Sequence, residues 1–260
     1  MKVALVQLDI AWQKPELNFQ RAANCSALAA QEGCDVVVFP EMFNTGFSMD
    51  LSVISDEGIG ETTSFLSGLA RSNKINLIAG FAMKSPAEKK GRNLAVVFDR
   101  TGTLTAAYTK IHPFCLAEED KYFLAGENVT IFDIDGIPSS VFVCYDLRFP
   151  EVFRKVARQV KAVFVIANWP SSRKRHWEIL LKARAIENQC FVIGVNRTGT
   201  DGNGVYYSGG SCAVDPMGNI LCNGNEEEYV ICDLDFSKVH EVRAQYPFLN
   251  DMKLISNQQA

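Results

Sequence analysis

Between Val141 and Pro150 the chain reads Val-Phe-Val-Cys-Tyr-Asp-Leu-Arg-Phe-Pro, and Glu151-Val152-Phe153-Arg154 follows. An apolar run that stops at a cysteine, then a charged pair, then a proline opening a helical pattern, spells strand, tight turn and helix. Pro150 suits the first helical turn, where its missing N–H is no loss. Such an elbow lifts one side chain off the end of a sheet. Cys144 then has two readings. It is a small buried core residue, or it is a thiol in the positive field of a helix N-terminus, which lowers a thiol's pKa and can hold an oxyanion.

The rest of the composition narrows the field. A chain of 260 residues with 47% hydrophobic and 22% charged content can bury a large core, as one large domain or two small ones. A formal charge of −4 offers no footprint for nucleic acid or an anionic membrane. The start, Lys2-Val3-Ala4-Leu5-Val6-Gln7-Leu8, has too short an apolar core for a signal peptide, and no run is long enough to span a bilayer. A cytoplasmic protein is expected. The eight cysteines lie far apart without a CxxC pair, and most fall in apolar runs, so they read as core residues rather than disulfide staples. The three histidines are not grouped with cysteines or acids at ligand spacing, so neither a metal nor a cofactor is called for.

Strand-like runs alternate with helical ones along the chain. Strands are expected at 3–8, 36–39, 75–82, 93–98, 103–108, 129–134, 139–143, 162–167 and 190–196, with three more between 205 and 234. Helices are expected at 17–31, 62–72, 150–158 and 173–189, with Gly33 as a cap for the first. Residues 115–126 read as a polar, aromatic loop. No Gly/Ser/Pro linker, low-complexity tract or repeat divides the chain, so a single domain over 1–260 is the economical reading, with a polar tail from about 236 that reaches another subunit or frays. The order suggests an α/β fold of two mixed sheets stacked face to face with helices outside.

Three chemically useful residues end apolar strands: Glu41 after Val36-Val37-Val38-Phe39, Lys110 after the strand to Tyr108, and Cys144. Ligands gather at the carboxyl ends of strands in such sheets. If the three strands are neighbours, a carboxylate, an ammonium and a thiol share one cleft. The carboxylate would take the thiol proton, the thiolate would attack a carbonyl or nitrile carbon, and the ammonium with the Tyr145 backbone N–H would hold the anionic intermediate. Singly, Glu41 reads equally as a surface cap and Lys110 as a solvated charge; jointly they are harder to dismiss.

Phe39-Pro40-Glu41, Lys110-Ile111-His112 and Cys144-Tyr145-Asp146-Leu147-Arg148-Phe149-Pro150 resemble, in order, the three signature segments of the nitrilase superfamily of carbon–nitrogen hydrolases. The resemblance runs from Val3 to about Leu254. It implies a four-layer α-β-β-α sandwich, a Glu41-Lys110-Cys144 triad and a second glutamate in the loop after the lysine. Glu119 best fits that place, seven residues before Gly126, with Glu118 as its rival. The resemblance makes Asp146 and Arg148 structural, fixing the elbow. Neither His112 nor His176 sits at the spacing of a histidine-assisted nucleophile, and with a glutamate to serve as base His112 reads as structural.

Ala167-Asn168-Trp169-Pro170, the run from Lys182 to Gln189 and Asn196–Gly204 are similar to the bacterial omega-amidase branch. That similarity implies release of ammonia from the side-chain amide of a 2-oxo acid amide and a homodimer or larger assembly. An anionic substrate needs a cation away from the thiol. Arg173 is the candidate, or else a surface residue of the basic run Arg173-Lys174-Arg175. Trp169 and Phe47 either wall the pocket or pack the core. A carbamoyl-amide hydrolase, a true nitrilase, a non-catalytic binding protein and a redox thiol protein stand as alternatives.

Overall fold

The computed structural model describes residues 1–57, 60–84, 87–225 and 227–253. The first half runs β1 (Lys2–Val6), α1 (Pro15–Gln31), β2 (Val36–Val38), α2 (Leu51–Ile54), β3 (Ser55–Glu57), α3 (Glu61–Asn73), β4 (Asn76–Lys84), β5 (Arg92–Phe98), β6 (Leu104–Thr109) and α4 (Glu119–Tyr122). The second runs β7 (Ile131–Ile134), β8 (Ile137–Val143), α5 (Pro150–Val156), β9 (Ala162–Ala167), α6 (Lys174–Asn188) and β10 (Phe191–Asn196). It continues with β11 (Thr198–Thr200), β12 (Tyr206–Ser208), β13 (Cys212–Val214), β14 (Ile220–Asn223), β15 (Tyr229–Asp233) and α7 (Ser237–Gln245).

Among the described residues two mixed sheets form, with β11 and β12 paired as a separate antiparallel ribbon. One sheet has the order β15-β1-β2-β4-β5-β6, with β3 beside β4; the other has the order β14-β13-β10-β9-β8-β7. The side-chain alternation of a strand sorts the core into layers. Val3, Leu5, Val36 and Val38 join Val141, Val143, Phe164 and Ile166 in a core between the sheets. Their in-between neighbours Ala4, Val6 and Val37 pack instead with Phe19, Ala22 and Cys25 of α1 and Leu66 and Leu69 of α3. Trp177, Leu181 and Ala185 of α6 and Val152 and Phe153 of α5 cover the second sheet. The layers are therefore helix, sheet, sheet, helix, the expected sandwich. Strands buried on both faces must be wholly apolar, which is why β2 and β9 carry no polar residue.

The three strands are not neighbours, so the condition set on sequence is met in another way. Glu41 follows β2 and Lys110 follows β6, but β4 and β5 lie between those strands, and Cys144 follows β8 in the other sheet. Strands β2 and β4 are parallel and β5 runs against β4 and β6, so β2 and β6 end on the same side. The three residues converge across the gap between two sheets. The loop after Lys110 is also partly helical, since α4 lies inside it.

The segment from 236 does not fray within its described part. Helix α7 is tied to its own chain by Arg243, which donates to the carbonyls of Ala157 (3.0 Å), Val160 (2.7 Å) and Gln189 (3.0 Å). Residues 254–260 of that segment lie outside the described residues. No helix among the described residues is long and apolar enough to cross a membrane.

Candidate active site

Cys144 ends β8 with φ +46°, a left-handed conformation that disfavours any side chain and marks a tight elbow. A 3-10 turn over Cys144–Arg148 follows, and α5 starts at Pro150. Asp146, fully buried, holds this elbow. Its carboxylate accepts from Tyr108 Oη (2.8 Å), Val143 N (3.0 Å) and His112 N (3.0 Å), and meets His112 Nδ1 at 2.7 Å. One side chain thus ties the end of β8 to the end of β6. On the far side, Arg184 of α6 donates to the Leu147 carbonyl from Nη2 (2.8 Å) and Nε (3.2 Å).

Behind Cys144, Lys110 Nζ lies 2.9 Å from Glu41 Oε1 and 2.8 Å from Glu119 Oε2, all three side chains being buried. Glu119 also accepts from the Phe114 backbone N–H at 2.6 Å, which pins the loop after Lys110. Glu118 points elsewhere and pairs with Lys121 on the surface. Glu41 Oε2 accepts from Asn168 N at 2.9 Å, and Asn168 Nδ2 donates to the Glu41 carbonyl at 2.6 Å. The Asn93 amide donates to Glu41 Oε1 (2.7 Å) and Glu119 Oε1 (2.9 Å). Met42, next to Glu41, has φ +44°, and a Cβ at Gly80 would stand 2.8 Å from Glu41 Cα, so the glutamate sits on a tight turn pressed against β4.

These contacts set the protonation states. Burial pushes the Glu41 carboxyl up, but Lys110, Asn168 and Asn93 outweigh it and hold the group below the ordinary carboxylate value. Burial lowers the Lys110 ammonium, and Glu119 and Glu41 more than restore it, leaving it raised and charged. Of the two readings of Cys144, the field of the helix N-terminus does not acidify the thiol. Burial and the Glu41 carboxylate push Cys144 well above the ordinary thiol value, and Lys110 offsets them only in part. The elbow's helical turn is outweighed by a carboxylate in hydrogen-bonding reach. The resting pair is a neutral thiol beside a carboxylate.

The half-buried sulfur opens onto a cavity of about 410 Å³. Tyr145, Trp169, Arg173 and Phe47 all line it, as do Phe114, Asn168 and Tyr207. Phe47 also lies under the Lys110 ammonium, 5.4 Å from ring centroid to Nζ. Trp169 is fixed by Asn196, whose side chain accepts from its N–H (2.7 Å) and donates to its carbonyl (3.0 Å). Arg148 lines the cavity as well. Its guanidinium lies 4.8 Å from the Trp169 ring centroid and meets His176 Nδ1 at 3.3 Å. The elbow's carboxylate turns inward, whereas its arginine, one helical turn after the cysteine, turns to the cavity. The Arg173 guanidinium lies 5.5 Å from the Phe114 ring centroid. His112 stacks on Phe149 at 3.8 Å, away from the sulfur's opening. Among the described residues no cluster of His, Cys, Asp or Glu could hold a metal ion.

The pattern that defines the family described as Carbon-nitrogen hydrolase matches residues 2–244. This chain belongs to that family. The hydrolase is 34% identical to a 2-oxoglutaramate amidase of Bacillus subtilis (strain 168), covering 96% of this chain and 97% of the relative. It is 33% identical to the omega-amidase YafV of Escherichia coli (strain K12), over 96% of each. Among solved structures it superposes on XC1258 from Xanthomonas campestris, a CN-hydrolase superfamily protein with an arsenic adduct in its active site, with a TM-score of 0.92, 30% identity and 98% of both chains covered. It is an amidohydrolase that acts through a cysteine nucleophile.

Sequence reasoning about the hydrolase passed over Asn93 and the side chain of Asn168. Both carried the signal that marked Glu41 and Lys110. Asn168 follows the apolar β9 directly, and Asn93 stands just before the apolar run of β5. A polar residue at the mouth of a buried strand must find a partner there, and here the partner is the glutamate pair.

Proposed function

We propose that this hydrolase releases ammonia from the side-chain amide of a small 2-oxo acid amide, 2-oxoglutaramate or 2-oxosuccinamate, with Cys144 as nucleophile and Glu41 as general base. The Cys144 proton passes to Glu41 as the sulfur attacks the amide carbon. Lys110 and the Tyr145 N–H hold the resulting oxyanion. Glu41 returns the proton to the departing nitrogen, ammonia leaves, and an acyl thioester remains. Water, losing a proton to Glu41, then hydrolyses the thioester and restores the thiol. Glu119 keeps the Lys110 ammonium in place throughout.

The observation that carries the substrate class is the cavity's make-up. Cys144 lines it together with Arg148 and Arg173, whose guanidinium groups lie against the Trp169 and Phe114 rings. The one carboxylate among the described lining residues, Asp201, is taken up by the Tyr207 hydroxyl and the backbone N–H groups of Asn203 and Val205. Two cations suit a carboxylate carried by the substrate's far end. The names of the relatives, 2-oxoglutaramate amidase and omega-amidase, agree with that reading.

The test is ammonia release from purified protein across 2-oxo acid amides, neutral amides, carbamoyl compounds and nitriles. Rapid release from 2-oxoglutaramate, its loss in Cys144→Ala, and a KM raised about 100-fold in Arg148→Met are expected. Ammonia from other classes with none from a 2-oxo amide overturns the substrate; an active Cys144→Ala overturns the mechanism.

We also infer a cytoplasmic homodimer or larger homo-oligomer. Eight unpaired cysteines suit a reducing compartment. Ile179 and Ile186, both exposed and two turns apart on α6, offer an apolar stripe to a second copy.

A further inference from the structure

We infer that Asn93 is a positioning residue for the reaction, setting the charge state and aim of the base through one amide group shared between two carboxylates. The inference rests on the assignment of Glu41 as base. Asn93 is 1% exposed and stands second in β5, and its carbonyl accepts from Lys110 N at 2.9 Å, so its backbone is locked to the residue that follows β6. Its Nδ2 reaches Glu41 Oε1 at 2.7 Å and Glu119 Oε1 at 2.9 Å. Lys110 Nζ reaches Glu41 on the same oxygen at 2.9 Å and Glu119 on the other, Oε2, at 2.8 Å.

Two features make this more than packing. First, the amide has one tolerable orientation. Turning it over would aim Oδ1 at two carboxylates, so the group stays as found although Oδ1 itself is buried without a partner. Secondly, Asn93 and Lys110 both donate to Glu41 Oε1, whereas Oε2 is held by Asn168. An uncharged donor can share the carboxylate pair without adding charge beside the forming thiolate, which a second lysine could not do. The amide therefore holds Glu41 ionised and fixed while Lys110 is left to serve the oxyanion.

The experiment is the pH profile of kcat and kcat/KM for ammonia release by Asn93→Ala and Asn93→Asp, with Glu41→Gln alongside and folding followed by circular dichroism. Asn93→Ala is expected to lower kcat about 10- to 100-fold, to leave KM within about threefold, and to move the acid limb of kcat/KM up by about one pH unit. Asn93→Asp keeps the volume but puts a third carboxyl in the cluster, so its acid limb should move further still. A folded Asn93→Ala or Asn93→Asp whose acid limb and kcat match the parent overturns the inference, provided Glu41→Gln is inactive. An active Glu41→Gln instead overturns the base assignment on which it stands.

Discussion

Asp146 shows how much one side chain decides here. It has no route to the substrate, yet it joins the strand end that carries Lys110 to the elbow that carries Cys144. Asp146→Asn would turn an N–H₂ toward groups that are themselves donors. We expect it to cost about 2–3 kcal/mol in denaturant unfolding and to lower kcat more than it raises KM. The protonation states give a second expectation. Glu41 is held below its ordinary value and, as the proposed base, must be ionised to act, so its limb falls on the acid side of the usual carboxylate range. Lys110 and Cys144 are both raised and must keep their protons at rest, so their limbs move to the alkaline side. All three move outward, and kcat/KM should stay level from roughly pH 5 to roughly pH 9. A limb near neutrality would argue for a preformed thiolate instead. The same shifts act on stability: Glu41 contributes above its unfolded value and loses this as pH falls through its folded one, while Lys110 contributes until pH rises through its folded one.

Strand ends did most of the positioning, and they were the part most open to sequence reading. The apolar strands up to Phe39 and Val143 announce themselves by composition, and the polar residue that follows each is then conspicuous. Pairing was harder to read. Nothing in Val36–Val38 says that β4 and β5 will separate it from β6, because parallel partners far apart in sequence leave no local mark. The stretch 115–126 misled for another reason: α4 is a single short turn, held by the buried Glu119 rather than by helical periodicity. Gly80 on β4 makes the dependence testable. An added Cβ would stand 2.8 Å from both Glu41 Cα and Ile166 Cδ1, where two sheets and the base meet. Gly80→Ala should cost about 1–3 kcal/mol in stability and, by displacing Glu41, lower kcat about 100-fold; wild-type kinetics would show that the turn has room to move.

The charges assigned to the proposed reaction fall into two zones of the molecule. Glu41, Lys110 and Glu119 are sealed between the sheet ends, while Arg148 and Arg173 stand along an open cavity. Sequence could name most members of both zones, but the division between them comes from packing. The proposed dimer is checked by light scattering: Ile179→Glu with Ile186→Glu should yield a monomer of unchanged fold, and a persistent dimer would remove α6 from the interface. The sealed zone also has a consequence for ionic strength. Mobile ions screen exposed charges over about 10 Å at 0.1 M salt but reach buried pairs poorly. Added salt should therefore weaken the capture of an anionic amide while leaving its turnover untouched, because the thiol proton only changes hands between neighbours that dissolved ions never meet.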